Sequence, residues 1–201
     1  MDSISWYSVT PEGIAYQIAQ HMRDCLPLSE NGIILDGFCG SGGNVIQLAN
    51  VFNNVVGMDI DMKKLLCAKH NSQVYQVNPI LVHDNFFNLI DTHNSISGIF
   101  LSPPWGGPSY VTERAFDLNK MEPYDIKTIF SKARSITKNI AIYLPRNSNI
   151  KDILLLSDDN CEIHYLYINH ALKALCVYWG AFANQQVPKP QIGNGTDWMI
   201  N

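Results

Sequence analysis

The sequence predicts an α/β fold in which a mostly parallel β-sheet carries helices on both faces. Short apolar runs alternate with helical patterns over most of the chain, and strands that alternate with helices form parallel βαβ units. Two further strand-like runs, 161–168 and 173–180, are joined by a short connection. This arrangement predicts an antiparallel hairpin at one edge of the sheet.

The predicted elements follow one another in a regular order. Residues 10–26 form the first helix, with Thr10 as its N-cap, Pro11 at the first helical position and Glu12 in the first turn. Its apolar face consists of Ile14, Ile18, Ala19 and Met22. The remaining predicted strands are 32–36, 54–61, 79–83, 97–101 and 139–143. The remaining predicted helices are 44–52, 62–75 (with Asp61 as its N-cap), 123–135 and a short one after Asn149.

The composition is that of one globular domain. The chain has 201 residues, 46% hydrophobic residues and a net charge of −4, which excludes a disordered chain and a broad basic surface for long nucleic acid. The five cysteines are odd in number and show no zinc-ligand spacing, so we expect free thiols in a reducing compartment. With no leader and no apolar run of about 20 residues, we expect a nuclear or cytoplasmic protein that is neither secreted nor membrane-bound. We expect residues 1–182 to form the domain and residues 183–201 a flexible tail.

A glycine-rich loop and three aspartates follow the first three predicted strands. The loop DGFCGSGGN begins at Asp36 and has Val45 where a dinucleotide fingerprint has its last glycine. Asp36 suits an ammonium group, and Asp59 follows the next strand, where an acid holds a ribose diol in this architecture. A ligand with both groups is S-adenosylmethionine, and Asp84, after the third strand, is placed to accept from its adenine amine.

The stretch LSPPWGGPSY, residues 101–110, follows the fourth strand at the same edge of the sheet. Its prolines fix the backbone and leave carbonyl acceptors, which suit an exocyclic amine. The pattern resembles that of methyltransferases acting on planar amino nitrogens. Trp105 offers a strong cation–π surface, and a cationic base such as 7-methylguanine is its natural partner.

Several segments together resemble the trimethylguanosine synthase family. These are WYSVTPE (6–12), DGFCGSGGN (36–44), MDID (58–61), LSPPWGGPSY (101–110) and YLPRN (143–147), in the family's order and spacing. The resemblance covers about residues 5–182. It implies a class I S-adenosylmethionine-dependent methyltransferase fold with a seven-stranded, Rossmann-like sheet. It also implies methyl transfer to guanine N2 of the 7-methylguanosine cap of small nuclear or nucleolar RNA.

The resemblance implies a role for each matching residue. Ser102 and Pro103 would orient the amine, Trp105 would stack on the base, and Arg146 would reach the cap phosphates. The cofactor-binding residues would be Thr10, Glu12, Asp36, Phe38, Cys39, Gly40, Gly42, Asn44, Asp59, Ile60, Asp84, Asn85 and Ser102. The substrate-binding residues would be Ser102, Pro104, Trp105, Gly106, Arg146 and Asn147. Residues 1–30 would close over the cofactor, no metal would be needed, and the protein would be a monomer.

The chain departs from the family in two features, and three alternative functions remain open. The chain begins almost at WYSVTPE, where larger family members have an extra basic and aromatic segment, and Asn85 rather than Phe follows Asp84. One alternative is a methyltransferase for another planar amine, in ribosomal RNA guanine, DNA adenine or protein glutamine. The others are a cap-binding module without catalysis and a dinucleotide-dependent oxidoreductase. His83 and His164 show no partner pattern in the sequence, so no general base is expected.

Overall fold

A computed structural model describes residues 9–26, 32–90, 95–105 and 115–183. Within these ranges the helices are α1 (Glu12–Cys25), α2 (Gly43–Val51), α3 (Met62–Val74), α4 (Ile126–Arg134) and α5 (Ile150–Leu154). The strands are β1 (Ile33–Asp36), β2 (Val55–Asp59), β3 (Ile80–His83), β4 (Ile96–Leu101), β5 (Ile140–Pro145), β6 (Cys161–Ile168) and β7 (Ala171–Trp179). Except for Ala183, the predicted C-terminal tail lies outside the described residues.

The seven strands form one sheet in the order β3-β2-β1-β4-β5-β7-β6. Strands β1 to β5 pair in parallel, whereas β7 runs antiparallel to both β5 and β6. The predicted mostly parallel sheet with a C-terminal antiparallel hairpin is therefore confirmed. From β1 the chain first adds β2 and β3 on one side and then β4 and β5 on the other, so the switch point of the strand order lies beside β1. In this architecture the ligand-binding crevice lies beyond the carboxyl ends of the strands at the switch point.

The C-terminal hairpin depends on a tight turn with an uncommon backbone conformation. Asn169 and His170 have φ values of 49° and 63°, the left-handed pair that a two-residue hairpin turn requires. Ile168 and Ala171 pair on either side of the turn. Asn tolerates this conformation better than most residues, so the predicted short connection forms the hairpin.

The core has one apolar cluster on each face of the sheet. The predicted apolar face of α1 is buried in one cluster, which Ile34, Phe100 and Tyr178 of the sheet also line. Helix α4 covers the other cluster with Ile126 and Phe130. No helix among the described residues is long and apolar enough to cross a bilayer.

The prediction for the start of the first helix was wrong. Helix α1 begins at Glu12 with Pro11 in the N-cap position, and the N-cap makes no side-chain hydrogen bond. The Thr10 hydroxyl instead accepts a hydrogen bond from the Asn44 amide, with 2.9 Å between Oγ1 and Nδ2. Tertiary packing therefore uses Thr10 to join the N-terminal segment to α2.

The fourth helix also starts later than predicted. It begins at Ile126 because Asp125 caps it, with 2.8 Å between the Asp125 carboxylate and the Thr128 amide. The predicted cap at Asp61 is confirmed, since its carboxylate accepts from the amides of Lys63 and Lys64. In both helices the start is the residue whose side chain satisfies the first free amides.

We expect Gly180→Ala to destabilise the fold by about 2–4 kcal/mol, combining left-handed strain with overpacking. Gly180 has a φ of 67°, and an added Cβ would clash with the Lys138 carbonyl oxygen. Urea unfolding monitored by circular dichroism measures this loss. Gly13→Ala is the matched control, because nothing lies within 4 Å of its added Cβ. Equal stability of the two variants would contradict the prediction.

Candidate functional site

The predicted site residues meet at one edge of the sheet, beyond the carboxyl ends of the parallel strands. Strands β1 and β2 end at Asp36 and Asp59, and Asp84 follows β3. Ser102 follows β4, and Arg146 follows β5. Parallel pairing of these five strands brings their ends to the same side, so residues far apart in sequence share one surface.

The glycine-rich loop between β1 and α2 is held by the Asp59 carboxylate. Oδ2 of Asp59 accepts from the Gly40 amide at 2.8 Å, and Oδ1 accepts from the Asp61 amide at 2.9 Å. Gly40 and Gly42 have φ values of 53° and 103°, a region that strongly favours glycine. A Cβ on Gly42 would also lie 3.2 Å from Cα of Ala68. The loop therefore needs glycine for both its backbone shape and its packing.

Asp36 is fully buried beneath this loop. Oδ1 accepts from the Phe38 amide at 3.3 Å. Oδ2 has no partner of full hydrogen-bond geometry among the described residues, although the Val45 amide lies close enough to lower the pKa of the carboxyl. Burial raises the pKa of the Asp36 carboxyl to about 8, and the nearby negative charge of Asp59 adds to the rise. A buried acceptor in this state is stabilised by a cationic partner.

The N-terminal segment packs onto the glycine-rich loop. Thr10 is 2% exposed and bonds to Asn44 in the first turn of α2, and Oδ1 of Asn44 lacks a partner among the described residues. Glu12 is exposed, and desolvation followed by the hydrogen bond and negative charge of Glu12 raises the pKa of the Tyr75 phenol. Thr10 and Asn44 thus form one part of the predicted cofactor region, and Glu12 points toward the end of α3.

The far side of the site contains Ile60 and the turn after β3. Ile60 is 66% exposed, and its carbonyl accepts from Nε2 of His83 at 3.0 Å. Oδ1 of Asp84 accepts from Asn88 and from the Asn85 amide, and these bonds lower the pKa of the Asp84 carboxyl. Asn85 caps the following helical turn. An exposed apolar side chain beside an ordered carboxylate is a suitable surface for an adenine ring.

The first aromatic residue after Asp84 is buried in the core. Phe86 is 1% exposed and packs on Phe38, with 5.6 Å between the ring centroids. A Cβ on Gly37 would lie 2.8 Å from the Phe86 ring. The thiol of Cys39 is also buried, beside Gly57, and burial raises its pKa. The side chains of Phe86 and Cys39 therefore support the loop from below.

The segment after β4 places an indole at the mouth of the site. Pro103 is buried, Pro104 is exposed, and Ser102 is half-buried. The partly exposed Trp105 ring stacks on Tyr143 of β5, with centroids 5.4 Å apart and planes 29° apart. Gly106 lies outside the described residues. Tyr143 begins the YLPRN segment, but sequence reasoning gave it no role in the site, because it lies within an apolar strand and its contact with Trp105 is tertiary.

The turn after β5 presents one cation at the same edge. Arg146 is exposed and forms no ion pair among the described residues. The Asn147 carbonyl accepts from the Phe116 amide at 2.7 Å, and the Ser148 hydroxyl donates to the Pro145 carbonyl at 2.7 Å. These bonds fix the turn, so Arg146 extends from a rigid support.

The chain matches the family model "RNA cap guanine-N2 methyltransferase" over residues 31–182. It is 35% identical over 198 residues to trimethylguanosine synthase of Schizosaccharomyces pombe, covering 92% of this chain and 81% of the relative. It is 33% identical over 188 residues to trimethylguanosine synthase of Saccharomyces cerevisiae, covering 87% of this chain and 59% of the relative.

A solved structure shows the same fold at low sequence identity. The tRNA (m1A58) methyltransferase of Aquifex aeolicus aligns with a TM-score of 0.59 and 16% identity, over 86% of this chain and 69% of that one. The predicted class I methyltransferase fold is confirmed by this likeness together with the sheet order. The chain is an S-adenosylmethionine-dependent methyltransferase that belongs to the RNA cap guanine-N2 methyltransferase family.

Proposed function

We propose that the protein methylates the exocyclic N2 of 7-methylguanosine in RNA caps, giving 2,7-dimethylguanosine and, by a second transfer, 2,2,7-trimethylguanosine. The observation that carries this proposal is that two features lie together at the carboxyl ends of the parallel strands. A buried acid under a glycine-rich loop lies beside the rigid Ser102–Trp105 segment. The first suits a cationic methyl donor, and the second suits a planar amine.

The residues of the loop region fit S-adenosylmethionine. Asp36 has a buried oxygen without a donor of full hydrogen-bond geometry among the described residues, which suits the ammonium group. Asp59 keeps further lone pairs on both carboxylate oxygens, which suit the ribose hydroxyls. Ile60 and Asp84 would hold the adenine, and Thr10 and Asn44 would cover the methionine part. We further propose that the segment around Thr10 closes over this region.

When bound, S-adenosylmethionine supplies an electrophilic methyl group, and this chemistry needs no metal. The Ser102 and Pro103 region would accept hydrogen bonds from the guanine amine and direct its lone pair. Because no covalent enzyme intermediate is required, correct placement is the main contribution of the protein. The amine proton would leave to water, since none of the described residues at this edge combines a general-base geometry with a suitable partner.

Recognition of the cap would rest on Trp105 and Arg146. The 7-methyl group makes the base cationic, and an indole face attracts a cation by about 0.5–2 kcal/mol. Tyr143 holds the indole from one side. Arg146 presents a guanidinium on a fixed turn, which suits phosphate oxygens, and Pro104 and Asn147 would complete this side of the site.

The finer biological assignments are part of the same proposal. We infer that the capped substrates are small nuclear or nucleolar RNAs and that the protein works as a monomer in the nucleus or cytoplasm. A net charge of −4 supports local cap recognition over broad contact with the RNA backbone.

We expect Trp105→Ala to raise KM for 7-methyl-GTP by about 10- to 100-fold, the loss of one stacking contact. Trp105→Phe should retain most of the affinity, because it keeps a stacking face. Transfer of a labelled methyl group to 7-methyl-GTP, GTP and ATP measures this effect. Tyr167→Ala, at an exposed aromatic on the edge strand, is the matched control. Equal methylation of GTP and 7-methyl-GTP would rule out recognition of the cationic base.

We expect S-adenosylmethionine binding to release a proton below pH 8. The Asp36 pKa of about 8 leaves the free protein protonated there, and a bound ammonium group would favour the ionised form. Affinity should therefore rise with pH up to about 8. Calorimetry in buffers of different ionisation enthalpy measures the release. A pH-independent affinity in the wild-type protein would contradict a contact between Asp36 and the cofactor.

Two variants separate this effect from general damage to the site. Asp36→Asn should abolish the proton release. In the free wild-type protein we expect stability to fall as pH rises from about 4 to about 8, because the raised pKa of Asp36 favours the protonated native state. Asp36→Asn should remove this fall. Asp59→Asn should weaken binding but keep the release, with its midpoint at lower pH, because the Asp59 charge helps to raise the Asp36 pKa.

We expect Arg146→Ala to raise KM for 7-methyl-GTP about tenfold and to leave KM for the 7-methylguanosine nucleoside unchanged. The variant loses a charged contact of about 1.5–3 kcal/mol, which the nucleoside never makes. Steady-state kinetics with both acceptors measures the difference. Arg23→Ala, at an exposed arginine of α1, controls for the loss of one positive charge. An equal loss with both acceptors would contradict a phosphate contact.

A further inference from the structure

Three side chains of metal-ligating type cluster at the β6 side of the sheet. His21 comes from the second half of α1, and Glu162 and His164 come from the first half of β6. One donor atom of each residue lies within 4.8 Å of the others. In the strand register Asp36 and Glu162 lie in one row that crosses β1, β4, β5, β7 and β6. The cluster is therefore separated from Asp36 by four strand spacings across the sheet, about 19 Å.

Tertiary packing brings the three residues together. Glu162 and His164 are two residues apart, so they lie on the same face of β6, and this face is covered by α1. The rings of His21 and His164 meet edge to face with 4.5 Å between centroids. Tyr178 of the neighbouring strand contacts both rings, at 4.3 and 4.8 Å. The cluster is partly buried, so solvent reaches it and its members are still fixed by neighbours.

The hydrogen bond of His21 matches that of a metal ligand. Nε2 of His21 lies 2.8 Å from the Phe182 carbonyl, which only accepts, so Nε2 carries the proton and Nδ1 keeps a lone pair. Metal-binding histidines commonly donate their other ring N–H to a backbone carbonyl in this way. His164 bonds to Glu162, with 2.6 Å between Nε2 and Oε1.

We propose that His21, Glu162 and His164 form a binding site for a divalent transition-metal ion such as Zn²⁺. Two imidazoles and one carboxylate are an established zinc donor set, and solvent would fill the fourth position. Zinc bonds of about 2.0–2.1 Å place tetrahedral ligand atoms about 3.3 Å apart. The present atoms lie within 4.8 Å of one another, so the side chains would adjust when an ion binds. A bound ion would replace the hydrogen bond between His164 and Glu162.

The nearby thiol is outside the proposed donor set. Sγ of Cys25 lies 3.6 Å from Nε2 of His21, the nitrogen already bonded to the Phe182 carbonyl. The thiol therefore faces the side of the imidazole that points away from the proposed ligand atom Nδ1. The donor set is therefore two nitrogens and one oxygen.

A bound metal ion would link α1 to β6, the edge strand of the sheet. Strand β6 is the last strand of the sheet order, and His21 lies on the helix that packs across it. An ion that binds the native state and not the unfolded chain stabilises the fold by mass action. The proposal is independent of the methyl-transfer reaction, because the cluster contains none of the residues proposed to hold cofactor or cap.

The test is titration of the full chain, without an added histidine tag, with Zn²⁺ and then with Co²⁺. We expect one Zn²⁺ per chain, a Tm that rises with Zn²⁺ concentration, and a visible Co²⁺ absorption of four-coordinate type. Glu162→Gln and His21→Gln should each weaken Zn²⁺ binding by about tenfold or more. Circular dichroism verifies that each variant is folded, and His164→Gln replaces either one that is not.

His70→Gln is the matched control, because His70 is an exposed histidine on α3. Its Zn²⁺ affinity and Zn²⁺-dependent Tm should equal those of the wild-type protein. The proposal is overturned if the wild-type chain binds no Zn²⁺ at micromolar concentration. It is also overturned if Glu162→Gln and His21→Gln bind as tightly as the wild type, or if His70→Gln loses as much affinity as they do.

Discussion

The hydrogen bonds of the Asp59 carboxylate determine the shape of the candidate site at the carboxyl ends of the parallel strands. One oxygen holds the Gly40 amide and the other holds the Asp61 amide, so a single side chain joins the glycine-rich loop to the end of β2. With the loop fixed over it, Asp36 is sealed from water and its pKa rises to about 8. A buried carboxyl in this state costs stability when it ionises, and a cationic ligand offsets that cost. The Asp59 hydrogen bonds therefore fix the loop, and the fixed loop creates the buried carboxyl that suits a positively charged ligand.

Helix α1 links the glycine-rich loop to the C-terminal hairpin. Just before the helix Thr10 bonds to Asn44 beside the loop, and near its end His21 bonds to the Phe182 carbonyl beside the hairpin. Its apolar face fills the core between these two contacts.

The sequence predicted the order of the elements because strand and helix periodicities are local properties. The two positive-φ residues Asn169 and His170 likewise lie in a connection short enough to predict a hairpin. The predicted first residues of the helices were less accurate where more than one residue could serve as the N-cap. Thr10 resembles an N-cap in the sequence, but the buried Asn44 amide offers it a hydrogen bond that only the folded chain provides. Asp125 caps the fourth helix in the same way that Asp61 caps the third, and only the latter was predicted.

The sequence by itself determined the family, the glycine-rich loop and the acids at the strand ends, because these residue types and spacings follow directly from the cofactor's charge and shape. The tertiary structure decided which side chains support them. Tyr143 stacks on Trp105 from within an apolar strand, and Phe86 is buried under the loop, where it packs on Phe38. The partners of His164 are also tertiary, since His21 is distant in the chain. Contacts between distant segments depend on how strands pair and helices pack, and no local pattern in the sequence encodes them.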